Sequence, residues 1–456
     1  MLRLLRHTKV TTPSGALVLL LDTGAVIDAE AEAMLQALYS RDPGSVLEHL
    51  KMIIAKGAKK FMATFYVGYG HKSIGDCGTV TIFIEGVSML AAKAIQDTML
   101  YAGQEVSTRY VDFAKARFIE PFKTQYGAGI LESLREFYLA ARPKLEAHLR
   151  GQFPRQVGEK EGIYHKAISA RAFDILRGFL PAGASTNLAW HTDLRQAADR
   201  ILLLRHHPLQ EVREVAAAMQ NVLRMKYPSS FGHKLYEATE EYNAYWMKKF
   251  YYLDDPECPD FELTDYEGIK KELFTADVNR LLAKRPPKTE LPKLLGELGT
   301  LQFRFLLDFG SFRDVQRQRA VNQRMPLLSF VHDFEPWYLD ALSPELRAEA
   351  EVFLDYYKRH FLKDAPLIGK FTPEELQYFV PMGYRVANRI TGDLPSLVYL
   401  AELRATRFVH PTLQVQAKRI ADSLEFLFGR YGLNVHVDPE LGRFDVRRGE
   451  QDIVKK

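Results

Sequence analysis

Gln104-Glu105-Val106-Ser107-Thr108-Arg109-Tyr110 follows an amphipathic stretch of helical period. Read as extended chain, it sends Glu105, Ser107 and Arg109 to one side, because successive side chains alternate between faces. A carboxylate, a hydroxyl and a guanidinium aimed at one point suit a ligand with an anionic end and a hydrogen-bonding ring, as a nucleotide monophosphate has. Far downstream, Arg317-Gln318-Arg319 occupies a similar helix-to-loop position. The two stretches read as halves of one kind of site, divided between two copies of one fold.

The chain has 456 residues, long enough for two domains of about 200 residues each. Its 47% hydrophobic and 26% charged residues are the composition of a soluble globular protein. A net charge of +4, from 61 basic and 57 acidic residues, suits a phosphate-bearing small ligand but decides nothing alone. Stable nucleic-acid binding is not expected. Two cysteines, Cys77 and Cys258, allow no four-thiolate zinc site and fit a reducing, cytoplasmic setting. Met1–Gly15 is basic without the apolar run of a signal peptide, and Ala16–Leu21 is too short to span a membrane. No metal site is expected: His206-His207 has no carboxylate or thiolate at ligand spacing and reads as a solvated helix end.

Ala16–Leu21 reads as a buried strand, Asp28–Tyr39 and Ser45–Gly57 as helices, and Gly78–Glu85 as a β-branched strand. Helical period follows in Val87–Tyr101, Leu131–Gly151, Tyr164–Phe179, Leu188–Arg205 and Glu211–Met225. Proline and acidic residues mark 251–264 as a linker between a first copy, 1–250, and a second, 265–456. In the second, Leu301–Leu307 is strand-like and Phe312–Gln318 a short helix. An echo supports the duplication: Pro181-Ala-Gly, Asp193-Leu and Leu204-Arg205 return as Pro381-Met-Gly, Asp393-Leu and Leu403-Arg404.

Arg177 and Arg205 end helices with apolar faces, where an arginine buries its stem and presents its fork to a phosphate, or satisfies terminal carbonyls. Gly70-His71-Lys72-Ser73 with Asp76 forms a glycine-flexed turn, read either as a ligand lining or as a capped turn. Cys77 reads as a small buried residue. Cys258, among acidic neighbours, is a thiol of raised pKa and a poor nucleophile.

These residues resemble the flavin-dependent thymidylate synthases, whose signature reads Arg-His-Arg-x-x-Ser-x-Asn-Glu-x-Ser-x-Arg-Tyr. Residues 104–110 match its second half, with Gln104 for asparagine. His71, Ser73 and Asp76 resemble the family's flavin-contacting turn, and Arg177-x-x-Leu180-Pro181 and Leu204-Arg205 its nucleotide-holding segments. The resemblance implies an α+β fold in two tandem copies, helices on a mixed or antiparallel sheet. It also implies FAD as cofactor, with NADPH and methylenetetrahydrofolate as co-substrates and deoxyuridine monophosphate (dUMP) as the nucleotide.

Where the signature has Arg-His-Arg, the first copy has Asp97-Thr98-Met99. The second keeps Arg317-Gln318-Arg319 but has Arg324, Met325, Leu327 and Ser329 in the substrate positions. The implied division gives Gln104, Glu105, Ser107, Arg109, Arg177, Arg205 and Arg404 to the substrate, with Ser107 and Glu105 nearest the chemistry. His71, Ser73, Asp76, Asp193, Arg195, Arg317, Gln318 and Arg319 fall to the cofactor. Sites would be composite, in a homodimer imitating the family's tetramer. The alternatives are a flavoenzyme for another pyrimidine nucleotide and a catalytically silent nucleotide-binding protein.

Overall fold

A computed structural model describes residues 7–21, 27–40, 42, 45–363 and 370–441; the first six residues of the basic N-terminal stretch lie outside them. The chain divides into two compact units: Met1–Pro121 with Gly183–Tyr251, and Phe122–Ala182 with Tyr252–Lys456.

The first unit is built on a five-stranded sheet of β1 (His7–Thr11), β2 (Leu17–Leu21), β3 (Thr79–Ser88), β4 (Ala102–Glu105) and β5 (Ser185–Asp193). Their spatial order is β1-β2-β3-β5-β4, and every pairing is antiparallel. Helices Ala29–Tyr39 and Val46–Lys56 stand where their periods place them. Ser45 and Glu48 close a capping box on the second, and Gly57, at φ +68°, ends it.

Four expectations in this half are corrected. Residues 185–193 are strand, not the start of a helix at Leu188. Thr186, Leu188, Trp190 and Thr192 are buried alternately, and the helix begins only at Leu194, where Asp193 caps Gln196 N at 2.8 Å. Val87 and Ser88 complete β3, and the next helix runs only Met89–Gln96. His207 is fully buried, not solvated; its Nδ1 accepts from Leu209 N at 3.0 Å, and burial pushes its pKa well down. Cys77 is half-exposed, not buried.

The second unit holds a four-stranded antiparallel sheet of β7 (Phe261–Asp265), β8 (Thr300–Asp308), β11 (Arg385–Asp393) and β9 (Asn322–Gln323), in that order. Beside it, β6 (Tyr252–Leu253) and β10 (Met325–Pro326) form a short parallel pair. Two strands therefore lie where the acidic composition suggests a linker. Its carboxylates face arginines of a strand and a helix, Asp255 meeting Arg304 of β8 at 2.9 Å and Asp260 meeting Arg419 of helix Pro411–Phe428 at 2.5 Å. The short helix spans Phe309–Val315 instead of Phe312–Gln318, because Asp308 caps it by accepting from Ser311 N. Helices Gln125–Gln152, Glu161–Leu176, Pro344–Lys363, Leu394–Arg404 and Pro411–Phe428 also belong to the unit. Phe137 and Phe353 stack at 4.4 Å, and Lys144 binds Glu349 at 2.6 Å.

The two sheets share one plan. β3 meets β5 from Thr79↔Asp193 to Ser88↔Ser185, and β8 meets β11 from Thr300↔Asp393 to Asp308↔Arg385. Ser88 and Asp308 each cap the following helix, as do Asp193 and Asp393. The registers differ by one residue: β3 shifts between Glu85 and Val87, leaving Gly86 as a bulge at φ +72°. Further along, Ala102↔His191 and Gly103↔Trp190 correspond to Asn322↔Thr391 and Gln323↔Ile390.

Candidate functional site

β4 ends at Glu105, and a 3-10 turn at Thr108–Tyr110 follows, so residues 104–110 are not one extended run. The expectation of a shared face for Glu105, Ser107 and Arg109 fails there. Glu105 and Thr108 turn inward while Gln104, Ser107 and Arg109 are exposed. Glu105 is held from inside by Lys93 Nζ at 2.6 Å, with both side chains 1% exposed. Gln96 Nε2 (3.2 Å) and Thr186 Oγ1 (3.4 Å) also donate to it. Lys93 and Gln96 come from helix Met89–Gln96, all of whose residues are buried.

Three residues assigned to the cofactor meet at the start of helix Leu194–Leu204. Arg195 Nε donates to Asp76 Oδ1, and Asp193 caps the helix. Burial raises the Asp193 carboxyl, and Asp76 adds to the rise. His71 and Ser73 are exposed nearby in sequence, Ser73 within the single helical turn Lys72–Gly75. Arg205 lies elsewhere, paired with Glu240, which also meets His206 Nε2 at 2.7 Å.

In the second unit, Asp314 lies within the electrostatic reach of Arg177, Arg404 and Arg317, of which Arg177 is buried, Arg404 half-buried and Arg317 exposed. Burial would raise the Asp314 carboxyl, but Arg177, Arg404, Arg317 and Arg313 overcome it and hold the pKa below the ordinary range. Arg177 sits in a 3-10 turn after helix Glu161–Leu176, Arg317 follows helix Phe309–Val315, and Arg404 ends helix Leu394–Arg404. Positive charge exceeds negative at this point, which favours an anion. The Nε–H groups of Arg177 and Arg404 are buried and meet no acceptor among the described residues. Arg319 is exposed and Gln318 buried, the Gln318 carbonyl accepting from Gln323 Nε2 at 3.2 Å.

A buried polar network fixes Arg177. Its Nη2 donates to Ser311 Oγ at 2.9 Å, Ser311 Oγ lies 2.8 Å from Thr412 Oγ1, and Thr412 donates to Asp308 Oδ1 at 2.5 Å. Tyr338 OH (2.7 Å) and Ser311 N (2.9 Å) donate to Asp308 Oδ2. His410 joins through Nδ1, 2.9 Å from Thr412 Oγ1, and through Nε2 to the Asp174 carbonyl at 3.1 Å. None of these supports stands out in the sequence, except that Asp308-x-x-Ser311 has the spacing of a helix cap. Cys258 is buried, and its thiol is pushed up to about 11 by burial and then by Asp255, in the expected direction.

Glu335, at the start of helix Pro336–Asp340, has its carboxyl raised to about 7 by burial and then by Asp308. The folded state thus holds its proton more tightly than the unfolded chain. Its contribution is complete below the ordinary carboxyl pKa near 4.5 and is lost as pH rises through about 7. Wild type is expected to lose on the order of 3 kcal/mol of stability across that window through this group. Glu335→Gln should flatten the decline, read from urea midpoints at pH 5 and pH 8; parallel pH profiles would refute it.

Residues 19–229 match the family described as thymidylate synthase complementing protein. A UPF0159 protein of Chlamydia pneumoniae is 27% identical over 395 residues, covering 74% of this chain and 72% of that protein. A UPF0159 protein of Thermoplasma acidophilum is 22% identical over 445 residues, covering 81% of this chain and 87% of that one. The family match thus spans 211 of the 456 residues, in a chain whose fold is α+β with antiparallel sheets. No helix among the described residues is long and apolar enough to cross a membrane.

Proposed function

We propose that this chain is a flavin-dependent thymidylate synthase-like enzyme converting dUMP to dTMP, built by duplication of one α+β plan. The observation that carries the nucleotide assignment is the pair Arg177 and Arg404, both acting on Asp314 and each with a buried Nε–H that meets no acceptor among the described residues. A phosphate there gains charge-assisted hydrogen bonds, and Asp314 offsets part of the arginines' mutual repulsion when no ligand is bound. The matching registers of the two sheets, down to the Ser88 and Asp308 caps, support the duplication. The family match of residues 19–229 supports the reaction class.

On the cofactor side, the guanidinium groups of Arg317 and Arg319 suit a pyrophosphate. Asp76 and Asp193 put negative charge beside Arg195, so that corner suits ribose hydroxyls or a ring edge with N–H groups. FAD, when bound, supplies hydride transfer, methylenetetrahydrofolate the carbon and NADPH the reducing equivalents. The protein's own part is positioning and electrostatics: its arginines fix the phosphate, and Ser107 orients the ring without acting as a nucleophile, there being no base beside it in the sequence. One observation favours the silent nucleotide-binding alternative: Glu105 is engaged inside the protein by Lys93.

Visible absorbance of the purified protein and calorimetric titration with dUMP test the reading. Arg404→Gln and Arg109→Ala should each weaken dUMP binding at least tenfold while leaving bound flavin, and Arg319→Ala should do the reverse. A folded protein with neither flavin absorbance nor dUMP binding would overturn the enzyme. Binding of dUMP without flavin or turnover would select the silent reading.

A further inference from the structure

The helix Glu237–Phe250 lies beyond the family match, which ends at residue 229. It buries Asn243 and Met247 on one side. Tyr242 and Tyr245, 68% and 60% exposed, lie three residues apart on the outward face. Phe250 (57%) extends that surface at its C-terminal end, with its ring 6.0 Å from Tyr245. Isolated exposed apolar groups are ordinary, but three aromatic rings on one short helix mark an interaction surface.

Charge along the helix selects the partner. Glu237, Glu240 and Glu241 lie toward the N-terminal end, and Lys248 and Lys249 toward the C-terminal end. A parallel neighbour would set like charge against like. An antiparallel neighbour of the same sequence sets acid against base at both ends. The midpoints of Tyr242/Tyr245 and of Glu241/Lys248 flank Ala244 about 1.5 Å apart, an offset the long Glu and Lys side chains span, so one two-fold axis near Ala244 serves the rings and the charges together.

We infer that this helix docks against the same helix of a second copy of the chain, antiparallel, about a two-fold axis level with Ala244. Tyr242 then meets the partner's Tyr245, and Glu241 meets the partner's Lys248. Three rings of about 150–250 Å² each, more than half exposed, give roughly 700 Å² across the pair, the range of a weak and reversible dimer.

Sedimentation velocity of the full chain over a concentration series tests this. Glu241→Lys and Lys248→Glu should each weaken association roughly fivefold, because every dimer contains the pair twice. The combined variant should recover wild-type association, and Tyr242→Ser with Tyr245→Ser should abolish it with the near-ultraviolet circular dichroism of a folded protein retained. Wild-type association in all variants, or a combined variant no better than the single ones, would overturn the inference. So would a wild-type chain monomeric at every concentration.

Discussion

Lys93→Met is expected to lower the stability of the first unit by about 3–5 kcal/mol, a large share of the stability of an ordinary domain. The substitution keeps the length and apolar stem of the lysine, so the loss does not come from a cavity. It comes from Glu105, whose carboxylate is left buried without its ammonium partner at 2.6 Å, Gln96 and Thr186 being neutral donors. Most of that loss should return in Lys93→Met with Glu105→Leu, because a buried ion pair replaced by apolar groups of similar size is often close to neutral. The urea midpoint of the unfolding transition measures both. Equal losses in the single and double variants would show that packing, not the orphaned charge, sets the effect. The result also bears on chemistry, since a glutamate needed inside the protein is poorly placed to contact a ring outside it.

Asp308→Ala is the second large expectation, a loss of roughly 4 kcal/mol from the other unit. The wild-type carboxylate is 0% exposed and accepts from Tyr338 OH, Thr412 Oγ1 and Ser311 N. Removing it strands three donors at about 1–3 kcal/mol each, reduced by whatever water enters the space. The consequence should not stop at stability. Ser311 and Thr412 orient Arg177, so dUMP affinity should fall in the same variant even at temperatures where it stays folded. Thr412→Ser, which preserves the hydroxyl, should keep both properties. Undiminished dUMP binding in folded Asp308→Ala would show that the network does not position Arg177.

The elements that repeat a simple period are legible in the sequence. Ser45, Glu48 and Gly57 mark both ends of one helix, and the leucine-rich run 17–21 is the strand it resembles. Residues 185–193 mislead because Trp190, Leu194 and Ala197 also fit a helical face; only the ladders on both sides of β5 decide for strand. The linker reading fails for a related reason, since acidic residues opposite Arg304 and Arg419 are as much at home in a sheet as in solvent.

For the site, the sequence picks out Arg177, Arg317 and Arg404 as types able to hold an anion. It hides Asp314, Asp308 and His410, whose importance depends on segments that meet only after folding. The shared face proposed for residues 104–110 depends on an extended backbone, and the 3-10 turn at Thr108 removes that condition.

The chain leaves its first unit at Pro121, builds two helices into the second, and returns at Gly183. During synthesis this order sets a schedule. Helices Gln125–Gln152 and Glu161–Leu176 leave the ribosome well before residues 252–428, among which their partners lie. At about 5–20 residues per second, their apolar faces wait on the order of ten seconds to a minute for cover. A transcript cut near residue 250 would leave them uncovered for good, so expression of the first half alone should deliver a client of chaperones, not a working domain.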